Sequence, residues 1–275
     1  MKTFVKNIFL IILFLTISNF SKSQYSDLFD KNEYIYGSDT LRYRLYIPEP
    51  IKNVFHFESV LKKNLLLPVE NSTKYPIILF LHGSGERGND NNVQLTYIDS
   101  VFAKEKLQSE NPCFILAPQC QIDKRWVDVD WDLPNHTTPE NPSTPLKLAN
   151  LLLDSLLQFY PIDKNRIYIT GLSMGGYGTW DFISRYPDKF AAAIPICGGG
   201  DQNMAAIISG VPIWCFHGAK DKLVPAFRSQ NMINAIKAVG GNPIYTEYPD
   251  LGHLCWSTAY STPELFTWLF SQSKK

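Results

Sequence analysis

Gly171-Leu172-Ser173-Met174-Gly175 sets a serine between two glycines, each two residues away. A serine hydroxyl attacks at neutral pH only where it is held clear of its own backbone and beside a base. A sharp turn from strand to helix does the holding, and residues without side chains let the chain pass that close to itself. The run Ile167-Tyr168-Ile169-Thr170 before the turn reads as a buried strand. Gly176 to Arg185 reads as a helix with Trp180 and Ile183 on one face, stopped at Tyr186-Pro187. Ala191 to Ile196 reads as the next buried strand, so the serine sits inside one parallel βαβ unit. A serine in a glycine-rich helix cap would account for the glycines but not for the elements on either side. Ser173 is the expected nucleophile.

Such a serine needs a histidine to take its proton and a carboxylate to orient the histidine, and after an elbow of this kind the acid precedes the histidine in the chain. Only His217 and His253 follow Ser173. His217 closes the strand-like run Val211 to Phe216 and precedes the acid, so it reads as structural. His253 lies in a loop after the run Ile244 to Tyr248, at a strand's carboxyl end, where a base belongs. Asp221 begins the loop after the Val211 to Phe216 run and reads as the acid, with Asp201 and Asp250 as competitors. Acyl transfer also needs backbone amides for the oxyanion. One is that of Met174. The second is placed at Ser84, in the small-residue turn after Ile77 to Leu81, with Gly83 as the neighbour able to displace it.

The segments His82-Gly83-Ser84-Gly85-Glu86-Arg87-Gly88, Ala117-Pro118-Gln119-Cys120, Gly171 to Gly178 and His217-Gly218-Ala219-Lys220-Asp221 resemble α/β hydrolases of the predicted-peptidase and esterase group. That group includes relatives of polyhydroxybutyrate depolymerase, feruloyl esterase and dienelactone hydrolase. The resemblance runs from about Leu41 to the end. It implies an α/β-hydrolase fold, a mostly parallel central sheet flanked by helices on both faces, and a Ser-His-Asp hydrolase with no metal and no organic cofactor. The apolar stretch Val54 to Leu67 departs from the short polar turn expected there.

The 275 residues, 45% hydrophobic and 13% aromatic, suit one domain with a substantial core, residues 24–275. Lysine plus arginine equals aspartate plus glutamate at 26 each, which gives no electrostatic reason to expect nucleic acid or an anionic membrane as partner. Residues 1–23 read as a secretory signal peptide: Lys2 and Lys6, an apolar run from Ile8 to Ile17, then Ser21 and Ser23 ahead of cleavage before Gln24. The expected location is periplasmic or secreted, with no stable membrane association after cleavage; an uncleaved N-terminal membrane anchor is the alternative. Of the five cysteines, Cys113, Cys197 and Cys215 lie in strand-like runs while Cys120 and Cys255 sit in looser segments. No CxxC occurs, so a zinc or redox site is not expected.

Leu41 to Ile47 alternates as an antiparallel edge or lead-in strand, Cys113 to Ala117 reads as a buried strand, and Leu146 to Phe159, Ala226 to Val239 and Pro263 to Phe270 as helices. Gln121 to Pro145 is a long irregular insertion, expected to shape the substrate site. Trp126 and Trp131 within it, and Trp256 beside His253, are candidate substrate contacts, with a role as loop anchors equally open. Glu86 and Arg87 read as pinning the oxyanion loop by an ion pair, with orientation of the substrate as the alternative. Gly83 to Gly88 formally matches GxGxxG, but Asn89-Asp90-Asn91-Asn92 is no helix start, so a dinucleotide site is rejected. Asp128, Asp130 and Asp132 alternate like a calcium loop, but Leu133 and Pro139 stand where such a loop needs glycine and glutamate. The expected function is cleavage of small-molecule or carbohydrate esters, with a serine peptidase as alternative and a non-catalytic carbohydrate-binding protein behind it.

Overall fold

A strand that is apolar throughout has to be covered on both sides. β3 (Tyr75–Leu81) shows how that is done in the computed structural model, which describes residues 25–52, 73–131 and 133–274. Successive side chains point to opposite faces. Ile77, Leu79 and Leu81 join one core, under α1 (Thr144–Phe159), α2 (Met174–Arg185) and α3 (Phe227–Ala238). Ile78 and Phe80 join a second core, covered by the helical turns Asp99–Phe102 and Glu105–Glu110 and by α4 (Trp256–Tyr260) and α5 (Leu265–Ser271). Residues on both faces are therefore withdrawn from water, as a parallel sheet requires.

The remaining strands are β1 (Phe29–Tyr36), β2 (Asp39–Tyr46), β4 (Phe114–Gln119), β5 (Ile162–Leu172), β6 (Ala192–Ile196), β7 (Trp214–Gly218) and β8 (Ile244–Tyr248). They form one eight-stranded sheet in the order β1-β2-β4-β3-β5-β6-β7-β8. β2 runs antiparallel to both β1 and β4, and every pairing from β4 across to β8 is parallel. This is the α/β-hydrolase fold, with helices on both faces.

Three elements differ from the sequence reading. The Leu41 to Ile47 strand is antiparallel but not at the edge, because the polar hairpin partner β1 lies outside it. The strand read as Val211 to Phe216 begins at Trp214 and runs through His217 to Gly218, which makes His217 an interior strand residue. Cys120 and Cys255 are as buried as the other three cysteines. The expectations for the signal peptide, for cleavage before Gln24 and for Val54 to Leu67 lie outside the described residues. Among the described residues no helix is long and apolar enough to cross a membrane.

Candidate active site

Because β3 and β5 to β8 run parallel, the loops leaving their carboxyl ends gather on one edge of the sheet. Ser173 leaves β5 at φ 54° and ψ −117°, a backbone state rare for residues with a side chain. It costs on the order of 1–3 kcal/mol and persists only where the surroundings impose it. Here the Ser173 amide donates to the Ile196 carbonyl at 2.9 Å, and its carbonyl accepts from the Tyr177 amide at 3.1 Å. The two glycines of the motif are needed for contact, not for φ. A Cβ at Gly171 would lie 2.3 Å from the Gly175 carbonyl oxygen, and one at Gly175 would lie 1.8 Å from that of Leu81.

Three loops away, the turn after β8 brings His253 over this serine. His253 Nε2 lies 2.8 Å from Ser173 Oγ, and Nδ1 lies 2.7 Å from Asp221 Oδ2. The ring edge meets Trp256 at 5.7 Å in a T-shaped contact, which braces the imidazole from the far side. Asp221, in the turn after β7, accepts on Oδ1 from the amides of Leu223 and Val224, both at 2.9 Å. Burial works against its ionisation. The hydrogen bonds from His217, His253 and the Val224 amide nevertheless hold its carboxyl well below the usual carboxylate range. An ionised Asp221 accepts a hydrogen bond from His253 Nδ1–H and so keeps the proton on that nitrogen, which leaves Nε2 as the acceptor facing the serine hydroxyl. The competitors are engaged elsewhere: Asp250 pairs with Lys220 at the surface, and Asp201 accepts from the amides of Thr138 and Asn203.

His217, structural by its place in the sequence, lies against Asp221. Its Nε2 lies 2.8 Å from the Val224 carbonyl and 3.2 Å from Asp221 Oδ2. Two acceptors facing one nitrogen fix the proton there. Nδ1 is therefore the acceptor and meets the Ser229 hydroxyl at 2.8 Å, with the Gly198 carbonyl 3.0 Å from the same hydroxyl. Asp221 Oδ2 is thus shared by two imidazoles. The sequence signal was present, since the His217-Gly218-Ala219-Lys220-Asp221 segment puts a histidine four residues before the acid, but its meaning depends on the fold of the turn.

The loop after β3 is held by three side chains. His82 is wholly buried, with Nε2 accepting from the Cys120 amide at 2.9 Å and Nδ1 therefore donating to the Gly83 carbonyl at 2.6 Å. Burial lowers its pKa to about 4, so the ring stays neutral. Arg87 Nε donates to the Ser84 carbonyl at 2.9 Å, pinning the loop through its backbone instead of pairing with Glu86. Glu86, raised by burial, is partly compensated by the amide of Gly83. Of the loop glycines, Gly83 faces Ser173: a Cβ there would lie 3.6 Å from Ser173 Cβ, while one at Gly85 meets nothing.

The three tryptophans separate into different roles. Trp126 has no exposed surface; it donates to the His82 carbonyl at 3.0 Å and packs edge-on to the His82 ring. It is a loop anchor and cannot offer a face to substrate, which corrects that expectation. Trp256 is 6% exposed and serves the His253 ring, so it too acts as a support. Trp131 is half-buried, near the Tyr177 ring on the first turn of α2, with the Arg125 guanidinium 4.3 Å from its own ring centre. Of the three it has the most accessible ring. The insertion around it is tied down by Arg185 to the carbonyls of Pro139, Glu140 and Asn141, and by Arg228 to Leu133 and His136. Among the described residues, Cys197, His217 and Asp221 bring potential metal-ligand atoms within 4.8 Å of one another. Each is already engaged, with the His253 carbonyl, the Val224 carbonyl and His253 respectively.

Residues 68–263, which include Ser173, Asp221 and His253, match the family described as Phospholipase/Carboxylesterase. A crystallised thermostable esterase is 38% identical, with a TM-score of 0.77 over 91% of this chain and 64% of its own. An uncharacterized secreted protein of Arthroderma benhamiae is 27% identical over 71% of this chain, which spans 23% of that protein. A bifunctional acetylxylan esterase/xylanase of Neocallimastix patriciarum is 33% identical over 26% of this chain and 11% of its own. The chain thus spans only part of these relatives.

Proposed function

The chain belongs to the phospholipase/carboxylesterase family of α/β hydrolases, and from that membership we propose that it is an exported enzyme cleaving carboxylic esters, the acyl esters of carbohydrates in particular. The observation that carries this reading is the continuous contact from Asp221 through His253 to Ser173, at 2.7 and 2.8 Å. Ser173 Oγ attacks the ester carbonyl as its proton passes to His253 Nε2. The imidazolium, steadied by Asp221, then protonates the leaving alcohol, and water repeats the sequence on the acyl-enzyme. The Met174 amide supplies one oxyanion donor. The Ser84 amide supplies the other, with that of neighbouring Gly83, beside Ser173, as the alternative. Trp131 offers an aromatic surface for a sugar ring or a phenolic acyl group, and the exposed Leu223 and Leu254 flank the acid and the base with apolar surface. Carbohydrate esters also fit the acetylxylan esterase name of one relative, and export fits the secreted name of another.

Turnover of p-nitrophenyl acetate should fall by at least about 10⁴-fold in Ser173→Ala. Activity near that of the unsubstituted enzyme overturns the assignment. A panel of acetyl and feruloyl sugars against matched peptides tests the substrate class. Faster cleavage of a peptide amide than of its ester would replace the esterase reading with a peptidase.

A further inference from the structure

Cys197 follows β6 with φ 50°, in the left-handed region that favours glycine. The three residues after it are glycines, so a side chain retained at this position calls for a reason. Its sulfur lies 2.9 Å from Cys255 Sγ and donates to the His253 carbonyl at 3.1 Å. The Cys255 amide donates to that same carbonyl at 2.9 Å. The two cysteines therefore close around the backbone of the residue that faces Ser173, and neither has any exposed surface.

We propose that Cys197 and Cys255 are a disulfide site that locks the His253 loop to the end of β6. The sulfur separation is less than about 1 Å beyond the bond length of a disulfide, and the two side chains already point at each other. In forming the bond each thiol gives up its proton and the pair gives up two electrons. A small disulfide such as glutathione disulfide accepts them through a mixed disulfide and leaves as two thiols. An exported chain meets oxidants of this class. Because both sulfurs are buried, the bond forms before the loop has packed and is shielded from reductant afterwards. The cross-link joins residues 58 apart, and the closed segment carries Asp221. The other three thiols have separate surroundings: Cys113 faces Gln108, Cys215 lies within β7, and Cys120 lies at the end of β4. The site stands whether or not Ser173 is the nucleophile, and labelling by a fluorophosphonate reports on that question separately.

The test uses the full chain, prepared once in glutathione disulfide and once fully reduced, then unfolded in guanidinium, alkylated with iodoacetamide and mapped by mass spectrometry. The oxidised sample should carry three alkylated cysteines and a linked peptide pair containing residues 197 and 255. Five alkylated cysteines, or a link to any other cysteine, overturns the proposal. The oxidised protein should also melt about 5–10 °C above the reduced one, a gap that vanishes in Cys255→Ser. Equal melting of the two unsubstituted samples counts against it, and the peptide map decides even if the variant does not fold.

Discussion

Backbone holds Ser173, whereas side chains hold His253. At the elbow, Gly171, Gly175 and the strand ends approach so closely that no Cβ fits, and the serine keeps a strained φ because amide and carbonyl partners on both sides dictate it. On the other side of the site, a chain of polar contacts runs from Ser229 through His217 and Asp221 to His253. A backbone clamp of this kind fails as a unit when it fails. A side-chain chain can lose one link and keep the fold, so the two regions should respond differently to substitution.

The largest effect expected is at the clamp. Gly175→Ala forces a methyl against the Leu81 carbonyl oxygen at 1.8 Å, a backbone atom in the sheet centre. The cost should be at least about 3–5 kcal/mol, measured as a loss of soluble protein or a collapse of the urea midpoint. A variant with unchanged midpoint would show that the elbow tolerates movement, and the contrast would lose its basis.

Asp221→Asn acts on the side-chain region and should leave the fold close to intact. Asparagine can still accept from the amides of Leu223 and Val224, but it cannot hold the same tautomer of His253. Turnover should drop about 10⁴-fold with a melting temperature within a few degrees of the parent. A loss of only a few-fold would move the acid elsewhere, with Asp250 the next candidate.

This division also explains what could be read from the chain alone. The elbow was legible because its causes are local: a buried run, two glycines and a helix, all within about twenty residues. Asp221 and His253 were legible through chain order and their position after strands. The contact of His217 with Asp221 was not, because it depends on the turn Ala219-Lys220, whose amides donate hydrogen bonds to the distant Tyr248 and Leu251 carbonyls. Trp126 stays open between contact and anchor in the sequence for a similar reason. An aromatic residue in a polar insertion looks available, and its burial is set by the His82 carbonyl, 44 residues earlier. β1 has no counterpart in the sequence reading, because an edge strand exposed along most of its length carries little apolar pattern.

His217→Gln probes the middle of the chain. Glutamine can donate to the Val224 carbonyl or to Asp221 Oδ2, but it cannot also hold Ser229. Turnover should fall about 10- to 100-fold with KM little changed, and the acidic limb of the kcat pH profile should move as the Asp221 carboxylate loses one of its donors. A profile identical to the parent's, with only the melting temperature lowered, would reduce His217 to a packing residue.

The smallest effect belongs to His82, which supports the oxyanion loop from inside the core. Burial, helped by the nearby Arg87 charge and opposed by the bond to the Gly83 carbonyl, lowers its pKa from 6.5 to about 4. Between those values the unfolded chain takes up a proton that the folded chain does not. The stability that comes from a neutral His82 is therefore complete above about pH 6.5 and is lost as the pH falls toward about 4, at no more than about 1.4 kcal/mol per pH unit. Urea unfolding at pH 7, 6 and 5 should show this slope in the parent and a flatter one in His82→Gln, whose amide can accept from Cys120 without titrating. Identical slopes would mean that His82 takes up its proton without disturbing the loop, and the oxyanion side would then rest on Arg87 and the Gln119 amide, which donates to the Glu86 carbonyl.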